Sequence, residues 1–348
     1  MRIALITDAW EPQTNGVVST LKHTLAELGR RGFDVLRISP EMFASVPCPS
    51  YPEIRLAVFP APKMAALLGQ FNPDAIHIAT EGPLGIAARQ WCIAGKLRFS
   101  TAYHTQFPEY VRARWPIPLR VSYAYMRWFH DAATHTMVST AEMQSRLAAR
   151  GFGHLVNWGR GVDTERFRPI ERAVEPALPV FAYLGRVAVE KNIEDFLRLS
   201  LPGRLRVIGD GPARVEMQQR YPAVEFTGLL KGEELARKLA DSDVLVFPSR
   251  TDTFGLVMLE AMACGVPVAA YPVTGPIDVV QDGVTGCLNE DLSAAALRAL
   301  SLDREACRRF ALSRSWETAT QQFVANLVPV RGPISSPRPD LARVTVRA

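Results

Sequence analysis

Phe247-Pro-Ser-Arg-Thr-Asp-Thr-Phe-Gly-Leu-Val-Met-Leu-Glu-Ala-Met-Ala-Cys-Gly-Val-Pro-Val268 decides how the chain is read. Val244 to Phe247 are apolar enough for a buried strand, and Pro248 stops it. Thr251 to Thr253 supply a side-chain oxygen where a helix would start. Leu256 to Ala263 then read as a buried helix closed by Gly265, and Val266-Pro-Val-Ala-Ala270 opens the next strand. Such a unit places its loop at the carboxyl edge of a parallel sheet, where open α/β folds bind ligands.

The acids Asp252 and Glu260 stand eight apart, with Thr253-Phe254-Gly255 directly after the first. A helix N-terminus favours an anion, and a carboxylate deeper in the helix can accept hydrogen bonds from hydroxyls. Phosphate and sugar would fit there together. The plainer reading is a capped core helix with one buried acid. Glu260 speaks against it, because an acid inside Leu256-Val-Met-Leu-Glu-Ala-Met-Ala263 is costly to bury without a partner.

On these residues the sequence resembles family 4 of the retaining, nucleotide-sugar-dependent glycosyltransferases, which have the GT-B fold. That family's pattern is an acid, seven residues, then Glu, written around Phe-Gly and followed by Glu-Ala-Met-Ala-x-Gly-x-Pro-Val. Asp252 is the one departure, one methylene shorter than the usual Glu. The resemblance implies that Asp252 contacts the donor sugar, that Glu260 binds the donor ribose, and that Thr253, Phe254 and Gly255 line the donor.

With 348 residues, 48% of them hydrophobic, the chain is comfortable as two α/β halves. Cys48, Cys92, Cys264, Cys287 and Cys307 show no Cys-x-x-Cys spacing and sit mostly in apolar surroundings, so they read as reduced core thiols of a cytosolic protein. Metal and redox chemistry are not expected. Met1-Arg-Ile-Ala-Leu-Ile-Thr-Asp8 reads as a first strand rather than a signal peptide. The most apolar window, Phe254 to Val273, contains Glu260, Gly265 and two prolines, so it is core rather than a membrane span. The net charge of +5 lies wholly in residues 1–150, with 16 Lys and Arg against 11 Asp and Glu; residues 151–348 hold 24 of each. The first half is expected to face something acidic.

Asp8 to Gly16 is a polar turn between a strand and the helix from Val17 to about Arg30. Asn15-Gly16 lets backbone approach a ligand at a helix N-terminus, although a plain turn explains it as well. Gly16 matches the family's amino-terminal glycine loop, placed by resemblance against the donor phosphate and acceptor. After a second strand, Phe33 to Ser39, the passage to Pro62 reads as irregular and proline-rich. His104 lies just past another strand, at the same sheet edge as Gly16. A lone histidine is more often structural, but His104-Thr-Gln-Phe-Pro-Glu-Tyr110 resembles the family segment whose histidine contacts the donor sugar ring.

From Val111 to His130 the chain carries Arg112, Arg114, Arg120 and Arg127 and no acid, interleaved with Trp115, Tyr123, Tyr125, Trp128 and Phe129. That composition suits a segment lying at an anionic lipid surface. It equally suits a helix packed on the sheet with arginines covering its rim. Single-stranded nucleic acid would also suit it, but no nucleic-acid motif accompanies the run.

Gly159-Arg-Gly-Val-Asp-Thr-Glu-Arg-Phe-Arg-Pro169 resembles the family's interdomain segment, and Pro169, Pro176 and Pro179 mark a linker. A second sheet opens at Val180. Its first loop, Gly185-Arg186-Val-Ala-Val-Glu-Lys191, carries a planar fork and a point charge suited to gripping a diphosphate, and it matches a family pattern for donor-phosphate binding. Gly209-Asp-Gly211 repeats the strand-then-glycine plan, and by resemblance the nucleotide base lies near it.

The expected architecture is α/β GT-B: two Rossmann-like doubly wound domains facing across a cleft. Residues 1–165 form the acceptor side, 166–314 the donor side, 315–330 a closing helix returning to the first domain, and 331–348 an extended or disordered basic tail. The resemblance implies retaining transfer of a hexosyl group from a UDP- or GDP-sugar. Arg186 and Lys191 would stabilise the leaving phosphate and His104 would position the ring. No cofactor or divalent metal is called for, because two cations and a helix N-terminus can neutralise the diphosphate. The expected acceptor is a membrane lipid, with diacylglycerol-type glycolipid synthesis first; the alternative is a GDP-mannose-dependent mannosyltransferase acting on a phosphoinositide, polyprenyl-linked or soluble sugar acceptor. Arg112, Arg114, Trp115, Arg120, Arg127 and Trp128 would serve the membrane, and the enzyme would sit peripherally on the cytoplasmic face. The rival of another class is a nucleotide-binding module without transferase activity. A dinucleotide oxidoreductase fits less well, since no Gly-x-Gly-x-x-Gly follows the first strand. An epimerase could use the same fold.

Overall fold

The computed structural model describes residues 1–13, 15–48, 51–171 and 177–331. Pro176 of the expected linker and all but the first residue of the expected tail lie outside the described residues. In the first half the strands are β1 (Arg2–Ile6), β2 (Asp34–Ile38), β3 (Ser45–Cys48), β4 (Tyr51–Ala57), β5 (Ala75–Ile78), β6 (Ser100–Tyr103), β7 (His135–Val138) and β8 (Leu155–Asn157). The helices among them are α1 (Gly16–Arg30), α2 (Ala61–Phe71), α3 (Pro83–Ala94), α4 (Phe107–Arg114), α5 (Leu119–His130) and α6 (Ala141–Ala149). The second half has β9 (Val180–Leu184), β10 (Arg204–Ile208), β11 (Glu225–Gly228), β12 (Val244–Phe247), β13 (Val268–Ala270) and β14 (Gly286–Leu288). Its helices are α7 (Ile193–Leu197), α8 (Arg214–Arg220), α9 (Gly232–Ala240), α10 (Leu256–Ala263), α11 (Pro276–Val279), α12 (Leu292–Ala299), α13 (Arg304–Leu312) and α14 (Trp316–Asn326).

Two parallel six-stranded sheets result, ordered β2-β1-β5-β6-β7-β8 and β11-β10-β9-β12-β13-β14. The central strands β5, β6, β9 and β12 are buried at every position, as helices on both faces of a parallel sheet require; β9 and β12 are short apolar runs, whereas β6 is Ser-Thr-Ala-Tyr. Two Rossmann-like doubly wound units are therefore present. The helix α14 stands beside α1: Trp316 stacks on His23, and Phe323 is fully buried in the cluster that holds Ile3, Leu5 and Trp158. Asn326 Nδ2 also donates to Asn157 O at 2.7 Å.

Three local expectations are corrected. Neither Thr251 nor Thr253 caps α10; the helix begins after Gly255, at φ 82°, with no side-chain cap. A Cβ at Gly255 would stand 2.7 Å from Met258 Cε and 2.9 Å from Phe247 Cζ, so both conformation and space demand glycine. The two threonine hydroxyls donate elsewhere, Thr251 to Glu190 O at 3.1 Å and Thr253 to His104 O at 2.6 Å. The passage before Pro62 is not irregular throughout, because β3 and β4 pair as an antiparallel hairpin and Ala61 starts α2. Pro47 sits in β3 at little cost, since this two-stranded ribbon has free edges. Finally, the aromatic and arginine run is two helices, broken between Trp115 and Pro118.

Candidate active site

In each sheet the strand order reverses at one place, and the loops leaving the carboxyl ends of the two strands there flank a natural crevice. In the second sheet the reversal falls between β9 and β12, whose loops are 185–191 and 248–255. In the first it falls between β1 and β5, whose loops are 7–15 and 79–82. Asn15 Oδ1 caps α1 by accepting from Val17 N and Val18 N at 3.0 Å each. A Cβ on Gly16 would lie 3.6 Å from Leu256 Cδ1, so the first turns of α1 and α10 meet across the two halves.

The glycines of the second sheet keep its loops together. Gly209 has φ 144°, and a Cβ there would stand 1.9 Å from Gly185 O; a Cβ on Gly211 would stand 2.4 Å from Val187 O. Only bare backbone fits. Arg186 is half-buried on this loop, and its carbonyl accepts from Tyr183 OH at 2.6 Å.

Lys191 and Asp252 form an ion pair, Nζ to Oδ1 2.5 Å. The same ammonium reaches Tyr110 OH at 3.3 Å, from α4 of the other half. Burial opposes the charge on Lys191, but Asp252 and Tyr110 outweigh it and hold the pKa above the usual lysine range. The second oxygen of Asp252, Oδ2, is buried and has no hydrogen-bond partner. Gln106 Nε2 donates to Asp252 O at 3.2 Å, and Ser139 Oγ donates to Thr253 O at 2.9 Å. With the Thr253 bond to His104, these contacts tie residues 104, 106 and 139 of the first half to the 252–253 loop of the second.

His104 lies one residue past β6 with its ring edge-on to Trp158. Arg160 Nη2 donates to its Nδ1 at 3.1 Å, while Nε2 is buried without a partner. Burial, then the charge of Arg160, holds the ring neutral, far below the usual histidine range. Glu260, in the second turn of α10, has its carboxyl pushed up to about 7 by burial, with Arg166 pulling the other way. No carboxylate hydrogen bond is formed by Glu260 among the described residues, whereas Thr253 is buried and Phe254 packs at the edge of the second-half core. Among the described residues no group of three His, Cys, Asp or Glu could hold a metal ion.

The six surface residues are divided. Arg112, Arg120, Trp115 and Trp128 are exposed, the tryptophans by 45% and 46%. Arg127 instead turns inward, its Nη1 donating to Arg150 O at 3.0 Å, because α5 buries the face that carries Tyr123, Met126 and Phe129. The side chain of Arg114 lies outside the described residues.

Gln106, Ser139 and Arg160 were not among the expected site residues. Arg160 had a signal, an arginine between Gly159 and Gly161; a Cβ on Gly161 would stand 2.3 Å from Trp316 N, which shows how tightly that turn is packed. Gln106 and Ser139 had none, since their partners are more than a hundred residues away.

The profile described as Glycosyltransferase Family 4 matches residues 14–166, and that of Glycosyl transferases group 1 matches 178–302. A GDP-mannose-dependent alpha-mannosyltransferase of Mycobacterium tuberculosis is 31% identical over 95% of this chain and 97% of its own length. The chain belongs to the family 4 glycosyltransferases. It is accordingly a retaining hexosyltransferase. The sulfoquinovosyl transferase SQD2 of Arabidopsis thaliana is 33% identical over 80% of this chain and 61% of its own. Among solved structures, the sucrose-phosphate synthase of Thermosynechococcus elongatus superposes with a TM-score of 0.73 at 20% identity, over 93% of this chain and 97% of that one. That likeness establishes the GT-B fold for this glycosyltransferase.

Proposed function

We propose that the enzyme transfers a mannosyl group from GDP-mannose, with retention, to a diacylglycerol-type lipid at an anionic membrane surface. The observation that carries the reading of the cleft is a pair of buried, unpartnered polar atoms, Asp252 Oδ2 and His104 Nε2, beside the uncapped start of α10. Buried polar atoms are normally hydrogen-bonded, and sugar hydroxyls would satisfy both. The α10 amides and Arg186 then take the diphosphate, and Lys191 turns from Asp252 towards it. Gly16, Gly185, Gly209 and Gly211 let backbone approach the donor, Thr253, Phe254 and Gly255 lead it to the helix, and Glu260 accepts from the ribose. As the bond to phosphate breaks, Arg186, Lys191 and the helix terminus stabilise the growing charge. The acceptor hydroxyl enters on the same face of the sugar. Residues 1–165 carry the acceptor and 166–314 the donor.

GDP-mannose is put first because relatives similar over 80–98% of their own lengths carry that donor in their names. A lipid acceptor is favoured by the exposed apolar set Trp115, Ile117, Val121 and Trp128 beside Arg112 and Arg120, and by a relative 24% identical named alpha-monoglucosyldiacylglycerol synthase. Among the described residues no helix is long and apolar enough to cross a membrane, so the reading is of peripheral binding at the cytoplasmic face. The test is a panel of UDP- and GDP-sugars with liposomes containing diacylglycerol. GDP-mannose should give the fastest acceptor-dependent nucleotide release. Faster turnover of a UDP-sugar would replace the donor, and equal transfer to a soluble sugar would remove the lipid.

A further inference from the structure

We infer that Arg160 is a positioning residue that locks His104 as the neutral tautomer protonated on Nε2, so that this histidine acts only as a hydrogen-bond donor. Arg160 is 7% exposed. Its Nη1 donates to the carbonyls of Trp158 and Gly159, its Nη2 donates to His104 Nδ1 at 3.1 Å, and its guanidinium lies over the Trp158 ring at 4.5 Å. No carboxylate pairs with it among the described residues. A guanidinium has donors only, so the imidazole nitrogen facing it must present a lone pair, and the ring proton must sit on the other nitrogen. That other nitrogen, Nε2, is the buried atom without a partner.

The charged and titratable groups bearing on His104 are Arg160, His77 on β5 and His130 on α5, and all are bases. Each disfavours an imidazolium. Burial lowers Arg160 itself only to about 9, so it stays charged at neutral pH. The ring is also held mechanically. Trp158 meets it edge-on and is backed by Phe323 of α14 at 4.8 Å and by His77 at 5.7 Å. On the functional reading above, on which this inference rests, Nε2–H then donates to a sugar oxygen. His104 can neither accept there nor serve as a base.

Selective 15N labelling of histidine decides the matter in the intact, donor-free protein, with His104 assigned by the signal missing from His104→Gln. The expected spectrum shows Nε2 protonated and Nδ1 bare, unchanged from pH 5.5 to 8. An imidazolium or an Nδ1–H tautomer in that range overturns the inference, and no substrate is needed, so the result stands apart from the identity of donor and acceptor. Arg160→Met should take away the donor facing Nδ1, so that both neutral tautomers appear in the spectrum, while burial goes on disfavouring the imidazolium. It should lower kcat about tenfold or more, while Arg160→Lys, which can keep a donor facing Nδ1, should restore the single tautomer and part of kcat. Loss of kcat in a folded Arg160→Met protein whose His104 keeps the wild-type tautomer across that pH range would also refute it. If Arg160→Met fails to fold, the wild-type spectrum still decides.

Discussion

Replacing Glu260 by Gln should make the protein more stable and a poorer binder of its donor. The folded protein holds the Glu260 carboxyl at about 7, against an ordinary 4.5. At about 1.4 kcal/mol per tenfold change in equilibrium, that difference costs about 3 kcal/mol once the group is ionised. The sign follows from proton binding: between pH 4.5 and 7 the folded state holds the proton more tightly than the unfolded chain, so stability falls as pH rises. Glutamine never ionises, though its amide carries a smaller burial cost of its own, so the net gain above pH 8 should be about 1–3 kcal/mol. Thermal and denaturant melts of both proteins from pH 4 to 8.5 measure it, and the advantage should vanish near pH 4. Donor binding should respond in the opposite direction, weakening by about 1.5–3 kcal/mol as a charged acceptor is lost. Calorimetric titration at pH 8 provides that number. A variant that melts earlier at every pH, with unchanged donor affinity, would show that Glu260 is structural and refute the reasoning.

Arg186→Ala and Lys191→Ala should each lower turnover by about 10²-fold or more, the scale for losing one group that stabilises transition-state charge; near-wild-type kcat in both would remove the phosphate clamp. Asp252→Ala should leave Lys191 partly buried and uncompensated and destabilise the fold by about 3 kcal/mol, with part recovered in the Asp252→Ala, Lys191→Ala double variant; denaturant melts of the three proteins read this directly, and additive losses would mean the pair is not coupled. Changing Arg112, Arg114 and Arg120 together to Gln should weaken flotation with anionic liposomes, each arginine contributing on the order of 1 kcal/mol near the surface, while nucleotide binding persists; a wild type that ignores anionic liposomes would contradict the membrane reading.

Much of the second sheet could be read because β9 and β12 are short apolar runs ended by Gly185 and Pro248. Val244 to Phe247 and Leu256 to Ala263 form the strand and helix expected of them to the residue. The uncapped start of α10 is not legible in the sequence, because Thr251 and Thr253 have the chemistry of caps, yet their hydroxyls are claimed by Glu190 and His104, contacts 61 and 149 residues distant in the chain. The β3–β4 hairpin was hidden by Pro47 and Pro52, which an isolated ribbon tolerates and a central strand does not. Composition marked Arg127 as a surface cation, but which arginines of an amphipathic helix face solvent depends on what packs beneath it, and Arg150 O takes that side chain inward. Acidic and basic residues could be nominated singly for the cleft. Their pairing could not, since Lys191 meets Asp252 only once the loops after β9 and β12 lie side by side, and the unexpected Arg160 meets His104 only once the ends of β6 and β8 share one sheet edge.

The measurement that bears most directly on the proposed reaction is the anomeric configuration of the sugar in the lipid product, read by NMR after incubation with GDP-mannose and diacylglycerol liposomes. Retention predicts that the mannosyl linkage in the product keeps the configuration it had in the donor, with one nucleotide released per lipid glycosylated. An inverted linkage, or nucleotide release that proceeds equally without acceptor, would contradict the account.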